Sequence, residues 1–152
     1  MLNYKIIFLI AIASFLFVST GYAEVAKNSE KYATRTVEKG TKIQLIIGET
    51  VIPAVLNESN TSRALIAKLP YTVKLQRYTH GYCGFISEKL PYEQDKLHSG
   101  WLNGDIVYAK DSNELAILYK NEEISKDLYD NLVTLGAIST PLSTLADLDR
   151  SV

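Results

Sequence analysis

The hydrophobic positions of this chain follow three different patterns. Residues 6–18 form a single apolar run, whereas residues 24–40 are polar and charged without sustained periodicity. From residue 41 to residue 140, short apolar runs alternate with turn residues. This last pattern predicts many short strands, and therefore a mainly antiparallel barrel or sandwich.

The apolar runs predict a hairpin at the start of this region. Residues 42–47 and 50–56 are β-branched runs separated by Gly48-Glu49, and Gly at the first position of a two-residue loop favours a type II′ turn. Pro53 cannot donate to a ladder, so we expect it at a strand edge or bulge. Further strands are predicted at residues 71–78, 82–86, 105–109, 114–119 and 132–138. Residues 110–113 are predicted to join the strands at 105–109 and 114–119 into a second hairpin.

Two short helices complete the predicted elements. Capping residues crowd residues 57–62, and the stretch that follows places Leu65 and Leu69 four residues apart before Pro70. This spacing predicts an amphipathic helix over residues 63–69. Residues 141–149 are predicted to form a short helix or turn that closes the domain, within a C-terminal tail over residues 141–152.

The first apolar run has the features of a secretory signal. Lys5 precedes it, and Gly21 and Ala23 place small residues at positions −3 and −1 of a cleavage site. A membrane-spanning helix needs about 20 apolar residues, more than this run provides. We therefore expect a signal peptide over residues 1–23, cleaved after Ala23, then a flexible spacer over residues 24–40. The protein is predicted to be secreted or periplasmic, without stable membrane insertion after cleavage.

Charge and cysteine content narrow the possible partners. The chain has 16 Lys and Arg against 17 Asp and Glu, a net charge of −1, which gives no basic field for nucleic acid or anionic lipid. Cys83 is the single cysteine, so an intramolecular disulfide is excluded. We expect this sulfur to be buried as a small hydrophobic group.

The order of the segments over residues 42–139 resembles the small bacterial cyclophilin-like domains. The resemblance rests on the Ile43-Gln44-Leu45 hairpin, the Leu69-Pro70 helix end, Asn103-Gly104-Asp105 before a strand, and the closing Leu135-Gly136-Ala137-Ile138. It implies a closed antiparallel β-barrel with one or two short helices, placed here at residues 41–140. This group shares the barrel of cyclophilins but lacks their enzymatic motif.

The resemblance also raises prolyl isomerisation as an activity. Active cyclophilins place an Arg beside an aromatic-lined proline pocket, where it stabilises the twisted amide without a covalent intermediate. The Phe-His-Arg run of these enzymes is absent here, and Phe85 follows Arg77 instead of preceding it. The resemblance therefore implies fold more strongly than activity, and no catalytic residue is assigned.

Aromatic residues supply the candidate binding site. Trp101 ends a long polar loop at residues 91–101, where it either plugs the barrel mouth or lines a cleft. We predict a ligand site formed by Trp101 with Arg77 as its polar partner, together with Phe85 and Tyr78. For Tyr108 and Tyr119, strand periodicity favours ordinary barrel packing.

Metal binding and covalent catalysis are the weaker possibilities. His80 and Cys83 form an H-x-x-C pattern, and folding could add His98, but a zinc site normally needs four ligands or three and water. We expect no metal and no cofactor. The leading hypothesis is a non-enzymatic domain that binds a small molecule or an extended peptide. The alternatives are a weak or divergent peptidyl-prolyl isomerase, or a module that docks through the strand edge near Pro53.

Overall fold

The computed structural model describes residues 4–10 and 31–148. Within them the chain forms eight strands, two α-helices and two short 3-10 helices. In chain order these are β1 (Tyr4–Ile10), β2 (Thr41–Ile47), β3 (Thr50–Leu56), α1 (Asn60–Ile66), β4 (Tyr71–Tyr78), β5 (Gly81–Phe85), a 3-10 helix at Gln94–Lys96, β6 (Asp105–Ala109), β7 (Glu114–Leu118), a 3-10 helix at Glu122–Asp127, β8 (Leu132–Ile138) and α2 (Leu142–Leu148).

The strands close into one barrel in the order β1-β2-β3-β8-β6-β7-β5-β4. Every ladder is antiparallel, and β1 returns to β4 to complete the ring. The predicted fold class, a closed antiparallel barrel with two short helices, is confirmed. Closure pairs the strand edges that an open sheet would leave exposed.

The two predicted hairpins, β2–β3 and β6–β7, form as expected. β2 and β3 pair from Thr41 with Leu56 to Ile47 with Thr50, and Gly48 takes the positive φ of 60° that the turn requires. The β3 edge near Pro53 is less open than we predicted. β8 pairs with β3 from Ala54 onward, and the amide of Ser139 donates to the carbonyl oxygen of Pro53 at 2.8 Å.

Helix α1 begins three residues earlier than predicted because Ser59 caps it. The Ser59 hydroxyl accepts a hydrogen bond from the amide of Ser62 at 3.1 Å, satisfying one of the free N–H groups of the first turn. Leu65 is fully buried in the core on the inner side of the helix. α2 contributes Leu145 and Leu148 to the same core, as expected for a closing helix.

The barrel interior is filled by the inward-facing residues of all eight strands and by both helices. Tyr82 and Tyr108 are the largest of its fully buried side chains. The hydroxyl of Tyr108 donates to Oδ1 of Asn113 at 2.8 Å and accepts from the amide of Leu90 at 3.3 Å. These bonds offset the cost of burying a polar tip, so Tyr108 is a core residue, as its periodicity predicts.

Strand β1 lies inside the segment predicted as a signal peptide. Ile6 and Phe8 are both buried in the barrel core, while Lys5 is exposed on the outer face. The hydrophobic pattern did not indicate this strand, because a continuous apolar run shows no period of two. The predicted cleavage site after Ala23 lies outside the described residues.

Residues 31–40, at the end of the predicted spacer, are tied to the barrel. The amide of Thr34 donates to the carbonyl of Asn103 at 2.8 Å, and Lys31 accepts from the amide of Leu142 at 2.8 Å. Arg35 donates to both carboxylate oxygens of Asp105, at 2.8 and 3.2 Å, and this hydrogen bonding raises the pKa of the guanidinium. Asp105 is completely buried, so this ion pair fixes the segment to the start of β6.

Among the residues that the structure describes, no helix is long and apolar enough to cross a membrane.

Candidate functional site: an apolar groove on the outer face of the barrel

The outer face of β5, β7 and β6 carries a floor of small apolar side chains. The ladder registers place Cys83 opposite Ala116 and Ala116 opposite Val107, in one row across three strands. Since successive side chains of a strand alternate between faces, these three residues face away from the barrel interior. Ala116 and Val107 are nevertheless buried, because Trp101, Leu118 and Leu132 pack around them as a second, smaller apolar cluster.

Larger side chains surround this floor and enclose a groove with a volume of about 50 Å³. Its exposed aromatic walls are Tyr78, at the end of β4, and Tyr129, after the second 3-10 helix. His80, in the turn between β4 and β5, also lines it. The remaining lining residues are Cys83, Val107, Ala109, Ser112, Glu114, Ala116, Leu118 and Leu132.

Trp101 packs against two of the residues that line the groove, His80 and Tyr129, on the side away from the groove. Its ring lies 5.2 Å from the His80 ring and 5.7 Å from the Tyr129 ring, centroid to centroid, and both contacts are tilted. Its indole N–H donates to the carbonyl of Lys120 at 3.0 Å, and its amide donates to the hydroxyl of the buried Ser125 at 3.0 Å. Trp101 is therefore a fixed, buried support for the groove.

A hydrogen bond and a second ring contact orient the His80 imidazole. The side-chain amide of Asn121 donates to Nδ1 of His80 at 2.9 Å. Since Nδ1 accepts this bond, the neutral ring carries its proton on Nε2. The ring also meets Tyr129 edge to face, at 6.4 Å between centroids. His80 is thus held as a wall of the groove and as a donor through Nε2.

Cys83 is a protonated thiol at neutral pH. Burial raises the pKa of the thiol to about 12, and the negative charge of Glu114 adds to the shift. A thiolate is needed for nucleophilic attack or metal ligation, so this environment disfavours both. Cys83 is only partly buried and lies on the outer face of the barrel, where it packs against the second apolar cluster. Its sulfur forms part of an apolar floor.

The four residues predicted as a ligand site do not gather around one cavity. Tyr78 lines the groove, and Trp101 lies behind it. Arg77 is exposed on β4 next to Tyr78, but strand alternation directs it to the opposite face, the one that Val73 and Leu75 share. Phe85 lies on the same outer face as Cys83, two residues further along β5, and is 68% exposed.

His98 is separated from the other two residues of the proposed metal pattern. It lies in a different cleft, where its Nε2 is 2.8 Å from the hydroxyl of Thr134. Within residues 4–10 and 31–148, no group of three His, Cys, Asp or Glu side chains is arranged to hold a metal ion. His80 and Cys83 share the groove, but without a third ligand from the described residues.

The cleft that contains His98 is larger, about 580 Å³, and polar. Its side chains are largely engaged with the protein itself. Asn57 donates to the carbonyl of Thr134 at 2.8 Å, Asn60 donates to Glu93 at 2.6 Å, and Arg35 is held by Asp105. Ligand sites combine an apolar surface with a few available polar groups. The groove fits that description better than the cleft does.

Most of the groove residues were not predicted, because the floor residues are small and Tyr129 lies in a loop. Tyr129, Ala116 and Val107 were not considered, and His80 and Cys83 were considered only for metal or nucleophilic chemistry. A usable signal was present in residues 106–109 and 115–118, which are apolar at every position. A strand that is apolar on both faces is covered on both faces, so an outer apolar cluster could have been predicted from them.

Comparison with known proteins agrees with this architecture. A sequence profile described as the cyclophilin-like family matches residues 45–152. No curated protein and no solved structure matches the chain.

Proposed function

Because the chain belongs to the cyclophilin-like family, we propose that it is a peptide-binding protein and that the outer groove is its binding site. The groove receives one small apolar side chain of an extended segment, and the neighbouring residues of that segment lie across the surrounding rings. One observation carries the proposal: a depression with a floor of small apolar residues lies between two exposed tyrosines on the outer face of the barrel.

The size of the groove favours a peptide over a free small molecule. Sites for drug-sized ligands occupy about 300–1,000 Å³, whereas this groove has about 50 Å³. That volume suits a single side chain such as proline, alanine or valine. A segment anchored in this way must gain the rest of its affinity from the surface around the groove.

The surroundings of the groove supply such a surface. Tyr78 is 46% exposed and Tyr129 is 49% exposed, although both line the groove. Phe85 extends the aromatic surface along β5 on the same face. Exposed aromatic residues are enriched at recognition surfaces because they bury a large area at a small entropic cost. The carboxylate of Glu114 offers a hydrogen-bond acceptor to the backbone of a bound peptide. The Nε2 proton of His80 offers a donor.

The alternative function, prolyl isomerisation, has less support from the geometry. Isomerase chemistry needs a cation or another strong donor aimed at the twisted amide. Among the described residues that line the groove there is no arginine or lysine, and Arg77 lies on the other face of β4. His80 is the remaining donor with a ring N–H. The tetrapeptide experiment below separates binding from catalysis.

The proposal is tested by titrating ¹⁵N-labelled protein with the tetrapeptide Ala-Ala-Pro-Phe and following amide shifts. We expect the largest shifts at Cys83, Val107 and Ala116, on the groove floor. Shifts confined to Asn60 and Thr134 would place the site in the polar cleft, and no shifts at millimolar peptide would contradict peptide binding. Exchange spectra of the same samples measure cis-trans interconversion of the Ala-Pro bond. We expect the uncatalysed rate, and faster exchange would instead support the isomerase alternative.

A further inference from the structure

A second row of outward side chains lies beside the floor of the groove. The ladders place Phe85 opposite Glu114 and Glu114 opposite Ala109, again across β5, β7 and β6. Each of these residues is two positions from a floor residue on its own strand, so its side chain faces outward with the floor. Glu114 and Ala109 also line the groove. The floor is therefore bordered by a carboxylate that stands next to an aromatic ring.

Glu114 gives the groove a negative charge. It is the single carboxylate among the described residues that line the groove, and it is half-buried. The cations that form ion pairs within the described residues contact other carboxylates, as Lys110 contacts Asp111 at 2.9 Å. Desolvation and then the charge of Glu114 raise the pKa of both the Cys83 thiol and the Tyr78 hydroxyl. The negative charge on β7 is thus felt across the groove as far as β4.

Phe85 supplies the second half of a site for a cation. Its side chain is 68% exposed, and register partners on one face of a sheet have Cβ atoms about 4.5–5.5 Å apart. A carboxylate attracts an ammonium or guanidinium group by charge, and an aromatic ring attracts it through the electron density of its face. A neutral side chain would gain neither interaction, and an acidic one would be repelled by Glu114.

We propose that the segment bound in the groove carries a lysine or arginine two residues before or after the small side chain that the floor receives. This inference rests on the peptide-binding function proposed above and names the class of segment that binds. The cationic side chain lies between the carboxylate of Glu114 and the ring of Phe85.

The spacing of two residues follows from the geometry of β7. Glu114 and Ala116 are two positions apart on this strand, a distance of about 6.6 Å along its axis. An extended segment that runs along β7 repeats its same-face side chains at the same distance. When one side chain occupies the floor at Ala116, the side chain two positions away therefore reaches Glu114, whereas an adjacent side chain faces away from the barrel.

A set of pentapeptides tests both the charge and the spacing. The neutral reference is Gln-Gln-Pro-Gln-Gln, acetylated and amidated so that its ends carry no charge, with proline as the one small apolar residue. Lysine replaces glutamine at the first, second or fifth position. Dissociation constants are measured from the amide shifts of Cys83 and Ala116 in ¹⁵N-labelled protein at low ionic strength.

We expect lysine at the first or fifth position to tighten binding, because each is two residues from proline. The better of the two should bind about three- to tenfold more tightly than the reference, as expected for an exposed ion pair with a cation–ring contact. Lysine at the second position should give no comparable gain. The gain should shrink in about 0.5 M salt, which screens exposed charges.

Three variants assign the gain to particular side chains. Glu114→Gln removes the charge with little change of shape, so the lysine and neutral peptides should bind it equally well. Unchanged affinity for the neutral peptide shows that this variant keeps the groove. The matched control, Glu49→Gln, removes an exposed carboxylate from the turn between β2 and β3 and should retain the full gain. Phe85→Leu keeps an apolar side chain without a ring and should reduce the gain without abolishing it.

The outcomes separate this inference from the proposed function. Floor shifts with the neutral peptide but no gain from any lysine would overturn the inference and leave peptide binding in place. An equal gain from lysine at the second position, or a gain that persists in Glu114→Gln, would also overturn it. Binding by none of the peptides would contradict both the inference and the proposed function.

Discussion

The inner and outer faces of β5, β7 and β6 are built from the same strands but carry different chemistry. Inward positions hold bulky residues such as Tyr82, Ile106 and Ile117, which fill the barrel. The intervening outward positions hold Cys83, Val107 and Ala116, which are smaller and sit beneath loops. Large residues fill the interior, whereas the small outward residues, framed by tyrosines, form the floor of a groove. The proposed recognition surface therefore lies outside the barrel core.

The largest expected difference between the two faces is in stability, measured on two aromatic residues of β5. Tyr82 is fully buried on the inner face, and Phe85 is 68% exposed on the outer face. Tyr82→Ala should reduce the free energy of unfolding by about 3–5 kcal/mol, because it leaves a cavity. Phe85→Ala should change it by less than about 0.5 kcal/mol. Urea unfolding curves measure both, and similar losses for the two variants would contradict the assignment of faces.

The second largest loss of stability is expected when the buried carboxylate of Asp105, at the start of β6, loses its partner. Arg35→Met leaves the carboxylate of Asp105, which is 0% exposed, without its cation but still accepting from the amide of Leu102 at 2.9 Å. Because the guanidinium is partly exposed, we expect a loss of about 1–3 kcal/mol.

Urea unfolding measures this loss, and the double variant Arg35→Met with Asp105→Asn is its control. Neutralising the carboxylate should recover part of the lost stability. No recovery would show that the ion pair is not what ties residues 31–40 to the barrel.

The free energy of unfolding should depend on pH through the thiol of Cys83, on the groove floor. The folded Cys83 thiol keeps its proton to a pKa of about 12, whereas in the unfolded chain it loses its proton near its ordinary value of 9.0. Between these two values the unfolded state binds fewer protons, so stability falls as pH rises, by at most about 1.4 kcal/mol per pH unit from this group.

The measurement compares unfolding free energies at pH 8 and pH 10 for the native chain and for Cys83→Ser. The native chain should lose more stability than the variant over this interval. Equal losses would mean that the thiol is not desolvated in the folded protein.

Much of the fold followed from local pattern. The β6–β7 hairpin was predicted from its apolar runs, and the structure ends β7 at Leu118, one residue before the predicted end. Helix α1 was placed three residues late, because several residues between 57 and 62 can cap a helix and only tertiary contacts choose among them. Ser62 is inside the helix, where its hydroxyl lies 2.9 Å from the carbonyl of Leu135.

The site was harder to predict than the fold. Tyr78 was identified, but Arg77 was grouped with it although adjacent strand residues face opposite ways, a rule that the alternation of Tyr71, Val73 and Leu75 already supported. Tyr129 could not have been placed, because it comes from a loop that reaches the groove only through tertiary packing with Trp101. Strand β1 was missed because a uniform apolar run gives the same pattern for a signal and for a buried strand.

The most direct measurement of the central claim is the dissociation constant of Ala-Ala-Pro-Phe for two matched variants. Ala116→Leu fills the groove floor, while Ala67→Leu makes the same change at an exposed position at the end of α1. Isothermal titration calorimetry should show at least a tenfold weaker affinity for Ala116→Leu, about 1.4 kcal/mol, and an unchanged affinity for Ala67→Leu. Unchanged affinity in Ala116→Leu would contradict the assignment of the groove as the peptide site.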